Sequence, residues 1–333
     1  MGSLFSSPSH SQYKPPSKNL DCGQLKAVAM AEANKFKDTH YMKSFSNTER
    51  YPPIKEALND LKSIFKGSYI DKMYKEHKQS TAKVVISIWT KEVELTKLIN
   101  AALIVDSVET FNKDVSTASV KYMKKVVAES GKTYQQIIDK SIKFMRLLNS
   151  YIVDEGRDFN TENRVVYRGV NKEIFCNVEC GKLIRIVNWS CCSEDLHIAK
   201  NFTRFQSSED ENINTIVRFN IKSGCYNAGK LNEIGVSCYV QEKETLIPPY
   251  TVCVIKKKTK LTNEALRSII SDTCSHSGFS FFTSSGKDDD TAFSECFERE
   301  RTNSDTEITH LFEVDISINS KSSILDNANA CYF

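Results

Sequence analysis

Between about residue 22 and residue 153, apolar positions recur every three or four residues, the period of helices that bury one face. After Pro52-Pro53 come Ile54, Leu58, Leu61 and Ile64, at steps of four, three and three, with Gly67 beyond them. Proline at the start and glycine at the stop mark both ends of one amphipathic helix. From Thr133 to Ile152, the residues Ile138, Ile142, Met145, Leu148 and Ile152 form a second stripe. Further helices are expected around 22–37, 80–103 and 117–129. Residues 21–153 therefore read as a helical lobe whose stripes are core.

Beyond Asp154 the period shortens. Val165–Tyr167, Leu183–Trp189, Val236–Val240 and Thr245–Lys257 are short runs rich in β-branched residues. Ile213, Thr215, Val217, Phe219 and Ile221 alternate with period two. Strands following a block of helices argue for an α+β architecture, a helical lobe on a mixed or antiparallel β-sandwich core over 154–260, and not for a doubly wound parallel sheet. No Gly-x-Gly-x-x-Gly turn and no phosphate loop ending in Gly-Lys-Ser/Thr occurs. Past residue 260, a helix is expected from Asn263 to Ser271, then a polar stretch with Lys287-Asp288-Asp289-Asp290. Phe312, Val314, Ile316 and Ile318 alternate as a strand. Residues 261–333 read either as an edge strand and surface insertion of the same domain or as a small appended module, a C-terminal extension of unknown role. Residues 1–20, with clustered Ser and Pro and little apolar content, read as a disordered leader.

Composition narrows the field. The chain has 333 residues, 40% of them hydrophobic, which is ample for a core. Its 45 basic and 42 acidic residues leave a net charge of +3, a mixed surface that gives no support to nucleic-acid binding. Eleven cysteines at irregular spacing, two of them adjacent at Cys191 and Cys192, read as mostly reduced. With no signal-peptide pattern and no run of roughly 20 apolar residues, the expected compartment is intracellular. Met1-Gly2-Ser3-Leu4-Phe5-Ser6 fits the N-myristoylation pattern, so reversible membrane association through Gly2 is an added expectation.

Candidate chemistry lies in three segments. Val165-Val166-Tyr167-Arg168-Gly169 ends a strand in an arginine whose planar fork suits pyrophosphate, followed by a glycine that permits close backbone approach. A lone arginine there would ordinarily be a surface ion pair. Trp189-Ser190-Cys191-Cys192-Ser193 runs from a strand into a helix carrying Ala199 and Phe202. Glu242-Lys243-Glu244-Thr245-Leu246-Ile247-Pro248-Pro249 carries two acids two residues apart, which in an extended chain project to the same face. Substitution at an anomeric carbon uses two such acids, one to stabilise positive charge on the sugar and one to handle a proton. Isolated, Glu-Lys-Glu would be a solvated charge run. Cys176 and Cys180 have no partners at zinc-ligand spacing, His197 reads as a surface or packing residue, and no Gly-x-Ser-x-Gly motif is present.

Together and in this order, the segments resemble the arginine, serine and paired-glutamate motifs of the arginine-specific mono-ADP-ribosyltransferases, most closely the animal ecto-enzymes. The likeness spans roughly residues 85–257 and includes Trp89-Thr90 and Leu98-Ile99-Asn100. It implies the β-sandwich fold of that family, NAD as co-substrate without a metal, and a protein presenting an exposed arginine as partner. Glu244 corresponds to the catalytic glutamate, which binds the nicotinamide ribose, and Glu242 to the one that directs arginine. Ser193 ends the serine motif, whose hydroxyls hydrogen-bond the catalytic glutamate. Arg168, Gly169, Trp189, Ser190, Cys191, Phe202 and, more loosely, Arg204 fall at NAD-binding positions, with the nicotinamide ring near Trp189 or Phe202. Tyr239 falls where the family's target-recognition loop carries an aromatic. The chain departs from the pattern at Cys191 and Cys192, where hydroxyl residues are usual. Thiols are weaker donors, so Cys191 should hold Glu244 less firmly, with Ser190 a candidate to compensate. NAD hydrolysis and a catalytically impaired NAD-binding module are the alternatives that this departure raises.

Overall fold

The computed structural model describes residues 37–67, 69–111, 118–159, 162–171, 180, 183–202, 214–223, 225, 228–231, 240–260 and 308–316. The expected leader, the helix at 22–37 except its last residue, the helix at 263–271 and the polar stretch at 287–290 lie outside them.

Among the described residues, seven helices form the first lobe: α1 (His40–Ser46), α2 (Ile54–Lys62), α3 (Tyr69–His77), α4 (Thr81–Lys91), α5 (Val93–Phe111), α6 (Ala118–Glu129) and α7 (Tyr134–Phe159). Local chemistry sets their ends. Thr133 Oγ1 accepts the Gln136 N–H while Gln136 Oε1 accepts that of Thr133, a reciprocal cap that starts α7. Gly131, at φ 68°, takes the left-handed conformation that follows the end of α6. Along α7 the stripe from Ile138 to Ile152 is buried, as its spacing predicts.

Three features depart from the sequence reading. The helix expected over 80–103 is two helices, broken at Glu92, whose carbonyl starts α5 by accepting the Thr96 N–H and whose carboxylate accepts the Tyr69 N–H. Gly67 does not cap α2, which ends at Lys62. Its glycine is needed because a Cβ there would collide with the Glu92 carboxylate. Finally, α1 and α3 fall where the sequence singles out no helix. The amino end of α1 is held by Asp106, which accepts the N–H groups of His40 at 3.0 Å and Tyr41 at 2.8 Å from 65 or more residues away.

The second half is a mixed sheet: β1 (Arg164–Asn171), β2 (Leu183–Ile186), β3 (Ser190–Ser193), β4 (Asn214–Ile221), β5 (Gly229–Lys230), β6 (Glu244–Ile247), β7 (Thr251–Lys260) and β8 (Ile308–Ile316), in the order β2-β7-β8-β4-β1-β3-β6-β5. Among the described strands, β4 and β8 form the one parallel pair. A helix, α8 (Leu196–Phe202), follows β3. The architecture is α+β and not Rossmann-like.

The run expected from Thr245 to Lys257 is split at Pro248–Tyr250, and Tyr250 sits at φ 60°. That turn joins β6 and β7, which stand near opposite ends of the strand order, so the sheet must curl over on itself. The Tyr250 N–H closes the curl on the Ile186 carbonyl at 2.6 Å. Inside the curl, Val166, Cys192, Val217, Phe219, Ile221, Ile247, Cys253 and Ile255 form one buried cluster. On the other side, Trp189, Leu231, Leu246 and Tyr250 belong to the core of the helical lobe. β3 and β6 thus lie at the seam between the two cores.

The tail corrects the division at residue 260. β8 is neither an edge strand nor an appendage: it lies between β7 and β4. Without it, both neighbours would lose a ladder of backbone hydrogen bonds.

Candidate active site at the seam of the two cores

The three motif segments converge through strand pairing. Tyr167 on β1 pairs with Ser193 on β3, and Ser193 with Glu244 on β6; Cys192 pairs with Thr245 and Cys191 with Leu246. Segments separated by up to about eighty residues therefore become adjacent strands, with Cys191 in electrostatic contact with both Glu244 and Arg168.

Glu244 is 8% exposed and begins β6. Burial pushes its carboxyl up to about 6, and a hydrogen bond from Cys191 opposes the shift. Glu242 is half-buried. Burial, and then the charge of Glu244, push it up to about 7. Two carboxyls raised in this way, one by the other, are the environment of an acid–base pair working near neutral pH.

The expected extended spacing of the two acids is not what brings them together. Val240–Glu242 form a turn of 3₁₀ helix, and Lys243 lies at φ 44°, in the left-handed region. The chain reverses its twist between the two glutamates, which a two-residue strand repeat would not do.

Cys191 occupies the place expected of it. Its thiol bonds the Glu244 carboxylate, and burial first, then the Glu244 charge, push that thiol well above its usual range. The residue is nonetheless open to solvent. Both statements hold for a side chain recessed among protein atoms but reachable, and it is the exposure that governs access. A raised thiol stays protonated, and so remains a donor to the carboxylate. Cys192 faces the core inside the curl, and burial pushes it up to about 12.

Other expected residues take different roles. Trp189 is fully buried against Trp89, with ring centroids 5.3 Å apart, so its indole is core and not a wall for a nicotinamide ring. Its carbonyl does serve the site, accepting from Asn188 Nδ2 at 3.0 Å, Asn100 Nδ2 at 3.4 Å and Arg168 Nη1 at 3.5 Å. Asn100 also accepts the Trp189 N–H at 3.0 Å, pinning β3 to the helical lobe. The Trp89 Nε1 lies beside the Cys191 thiol and helps to oppose its upward shift.

Ser190 is buried and donates to the Asn188 carbonyl, so it does not compensate for the thiols. The Ser193 hydroxyl does not touch the Glu244 carboxylate: it donates to the Glu242 carbonyl at 2.6 Å and accepts the Asp195 N–H at 2.9 Å. It is a positioning residue. Gly169 is buried on β1. Phe202 ends α8, with its side chain outside the description; Arg204, Tyr239 and Gly2 lie outside the described residues altogether. Among the described residues no cluster of metal-ligating side chains occurs, and no helix is long and apolar enough to cross a membrane.

The sequence reading assigned no site role to Asn188. It also missed Arg164, whose Nη1 ties Glu194 at 3.1 Å and Thr245 Oγ1 at 3.3 Å, bracing β1 and β6 against the turn after β3. No local signal marks either.

No protein-family model matches the chain, and no curated protein matches it. Solved structures to which it is similar include Vis toxin, an ADP-ribosyltransferase from Vibrio splendidus, at 12% identity, covering 63% of this chain and 78% of that one with a TM-score of 0.35. Exoenzyme S from Pseudomonas aeruginosa, in complex with human 14-3-3 protein beta and bound to carba-NAD, is 15% identical, covering 62% and 82% with a TM-score of 0.34. Plx2a, an ADP-ribosyltransferase toxin from Paenibacillus larvae, is 12% identical, covering 78% and 94% with a TM-score of 0.32. At these identities and scores the functional reading rests on the site and its motifs.

Proposed function

We propose that the chain is a mono-ADP-ribosyltransferase that moves ADP-ribose from NAD to arginine side chains of proteins. The observation that carries the reading is the pair formed by half-buried Glu242 and buried Glu244, with Cys191 bonded to Glu244. The described residues suit NAD in part: Arg168 offers a guanidinium for the pyrophosphate and Glu244 a carboxylate for a ribose hydroxyl, whereas the Trp189 ring is unavailable for stacking. NAD supplies an anomeric carbon with nicotinamide as leaving group.

The division of labour follows from the two environments. Glu244, ionised above about pH 6, places negative charge where the sugar becomes positive, in a site that excludes most water. Cys191 holds that carboxylate in one orientation. A guanidinium has a pKa above roughly 12 and is a poor nucleophile until it is oriented and relieved of a proton. Glu242, with a carboxyl raised to about 7, is the acceptor for that proton. Metal ions have no part in this scheme, and intracellular proteins are the proposed acceptors.

The test follows labelled NAD with an arginine-rich acceptor, measuring acceptor labelling and free nicotinamide. Glu244→Gln should lower both by about a thousandfold, the scale of losing one preorganised electrostatic group. Glu242→Gln should abolish labelling and leave most nicotinamide release. Release without labelling in the unsubstituted protein would mark a NAD glycohydrolase; neither signal would mark a site without this chemistry.

A further inference from the structure

At the end of β3, two consecutive residues grip two consecutive carbonyls. Ser193 Oγ donates to the carbonyl of Glu242 at 2.6 Å, while its other side accepts the Asp195 N–H at 2.9 Å. The Glu194 N–H donates to the carbonyl of Lys243 at 3.4 Å. Ser193 is 3% exposed, so both bonds are sheltered from water. The two glutamates are therefore held by different means. Glu244 is fixed by ladder pairing of β6 to β3, with Ser193 directly opposite it. Glu242 lies outside that ladder, at the end of a single 3₁₀ turn, and is held through its carbonyl by a side chain.

Between them Lys243 sits at φ 44°. For a residue with a Cβ this conformation costs about 1–2 kcal/mol, and it persists only where the surroundings over-determine it. The Lys243 side chain is exposed, and the bonds from the end of β3 hold the carbonyls of Glu242 and of Lys243 itself.

We propose that the Ser193 hydroxyl and the left-handed turn at Lys243 act as a positioning device that sets Glu242 relative to Glu244, and thereby sets the ratio of ADP-ribose transfer to NAD hydrolysis. The inference rests on the function proposed above. Losing the Ser193 bond frees the turn carrying Glu242, which handles the acceptor arginine, while Glu244, which handles NAD, stays in its ladder. Water then competes better with arginine.

In the full chain, Ser193→Ala should lower acceptor labelling about tenfold or more, because a group misplaced by an ångström loses that much or more. Nicotinamide release should fall by less than about threefold, since the Glu244 ladder is intact. Ser193→Thr, which keeps the hydroxyl, should restore the ratio. A second pair acts at the exposed turn: Lys243→Val, β-branched and disfavoured at positive φ, should lower the ratio of labelling to release, and Lys243→Asn, which tolerates it, should keep it. If Ser193→Ala does not fold, the Lys243 pair decides. Equal falls in both activities for Ser193→Ala, or an unchanged ratio in Lys243→Val, would overturn the proposal while leaving the transferase reading in place. Neither activity in the unsubstituted protein would overturn that reading and this one with it.

Discussion

Two buried acidic sites in this molecule are built on opposite principles. Asp106, in the helical lobe, is 1% exposed, and burial raises its carboxyl, but two backbone N–H groups of α1 point at it and oppose the shift. Glu242 and Glu244, at the seam, receive much less. One thiol bonds Glu244, and the largest neighbouring influence on Glu242, after burial, is the charge of Glu244 itself. At Asp106 the cost of desolvation is partly offset by donors, and the carboxylate holds the end of α1. At the glutamate pair it is left standing. A site that keeps two acids raised by burial, one of them also by the charge of the other, holds them poised to exchange protons near neutral pH, and stability is what it gives up.

The strongest way to break this comparison is at Asp106. Asp106→Ala should destabilise the protein by about 2–4 kcal/mol in denaturant titration, since two buried N–H groups lose their acceptor at once. A loss below about 1 kcal/mol would mean that α1 finds other acceptors, and the contrast would lapse.

Glu242→Gln should do the reverse. An acid raised from 4.5 to about 7 keeps, in the folded state, a proton that the unfolded chain has released, so stability declines as pH rises through that window and levels off above it. The amide does not titrate. Its melting temperature should therefore exceed that of the unsubstituted protein by about 2–5 °C at pH 8, with the gain shrinking towards pH 4.5. Equal melting curves at pH 8 would show that Glu242 carries no strain.

The smallest expected effect sharpens the role of Cys191. On the proposed mechanism nicotinamide release requires ionised Glu244, so it should fall as pH drops below about 6. Cys191→Ser puts a stronger donor on the carboxylate and should move that acid limb to lower pH by a few tenths of a unit. An unmoved limb would mean that the thiol does not bear on Glu244's titration.

Much of this was legible beforehand, and the misses share a cause. The stripe of α7, the alternation of β4 and the three motif segments are written in neighbouring residues, and the structure keeps them. The break at Glu92 was hidden because its cause, the Tyr69 N–H, is 23 residues away. Trp189 looked like a ligand wall because its burial depends on Trp89, a hundred residues earlier. Ser193 looked like a partner of the glutamate carboxylate. Only the register of β3 on β6 showed that its hydroxyl reaches the Glu242 carbonyl instead.

By itself the sequence determined the order of helical lobe and sheet, the residues available for chemistry, and the presence of two acids two residues apart and of two adjacent thiols. Those are properties of local period and residue type. The tertiary structure alone decided that β8 lies inside the sheet, that β6 and β7 force it to curl, and that a left-handed Lys243 stands between the glutamates. Strand neighbours and hydrogen-bond partners are chosen among segments far apart in the chain, by which arrangement buries the most apolar surface with the fewest unpaired polar groups, and no window of sequence contains that choice.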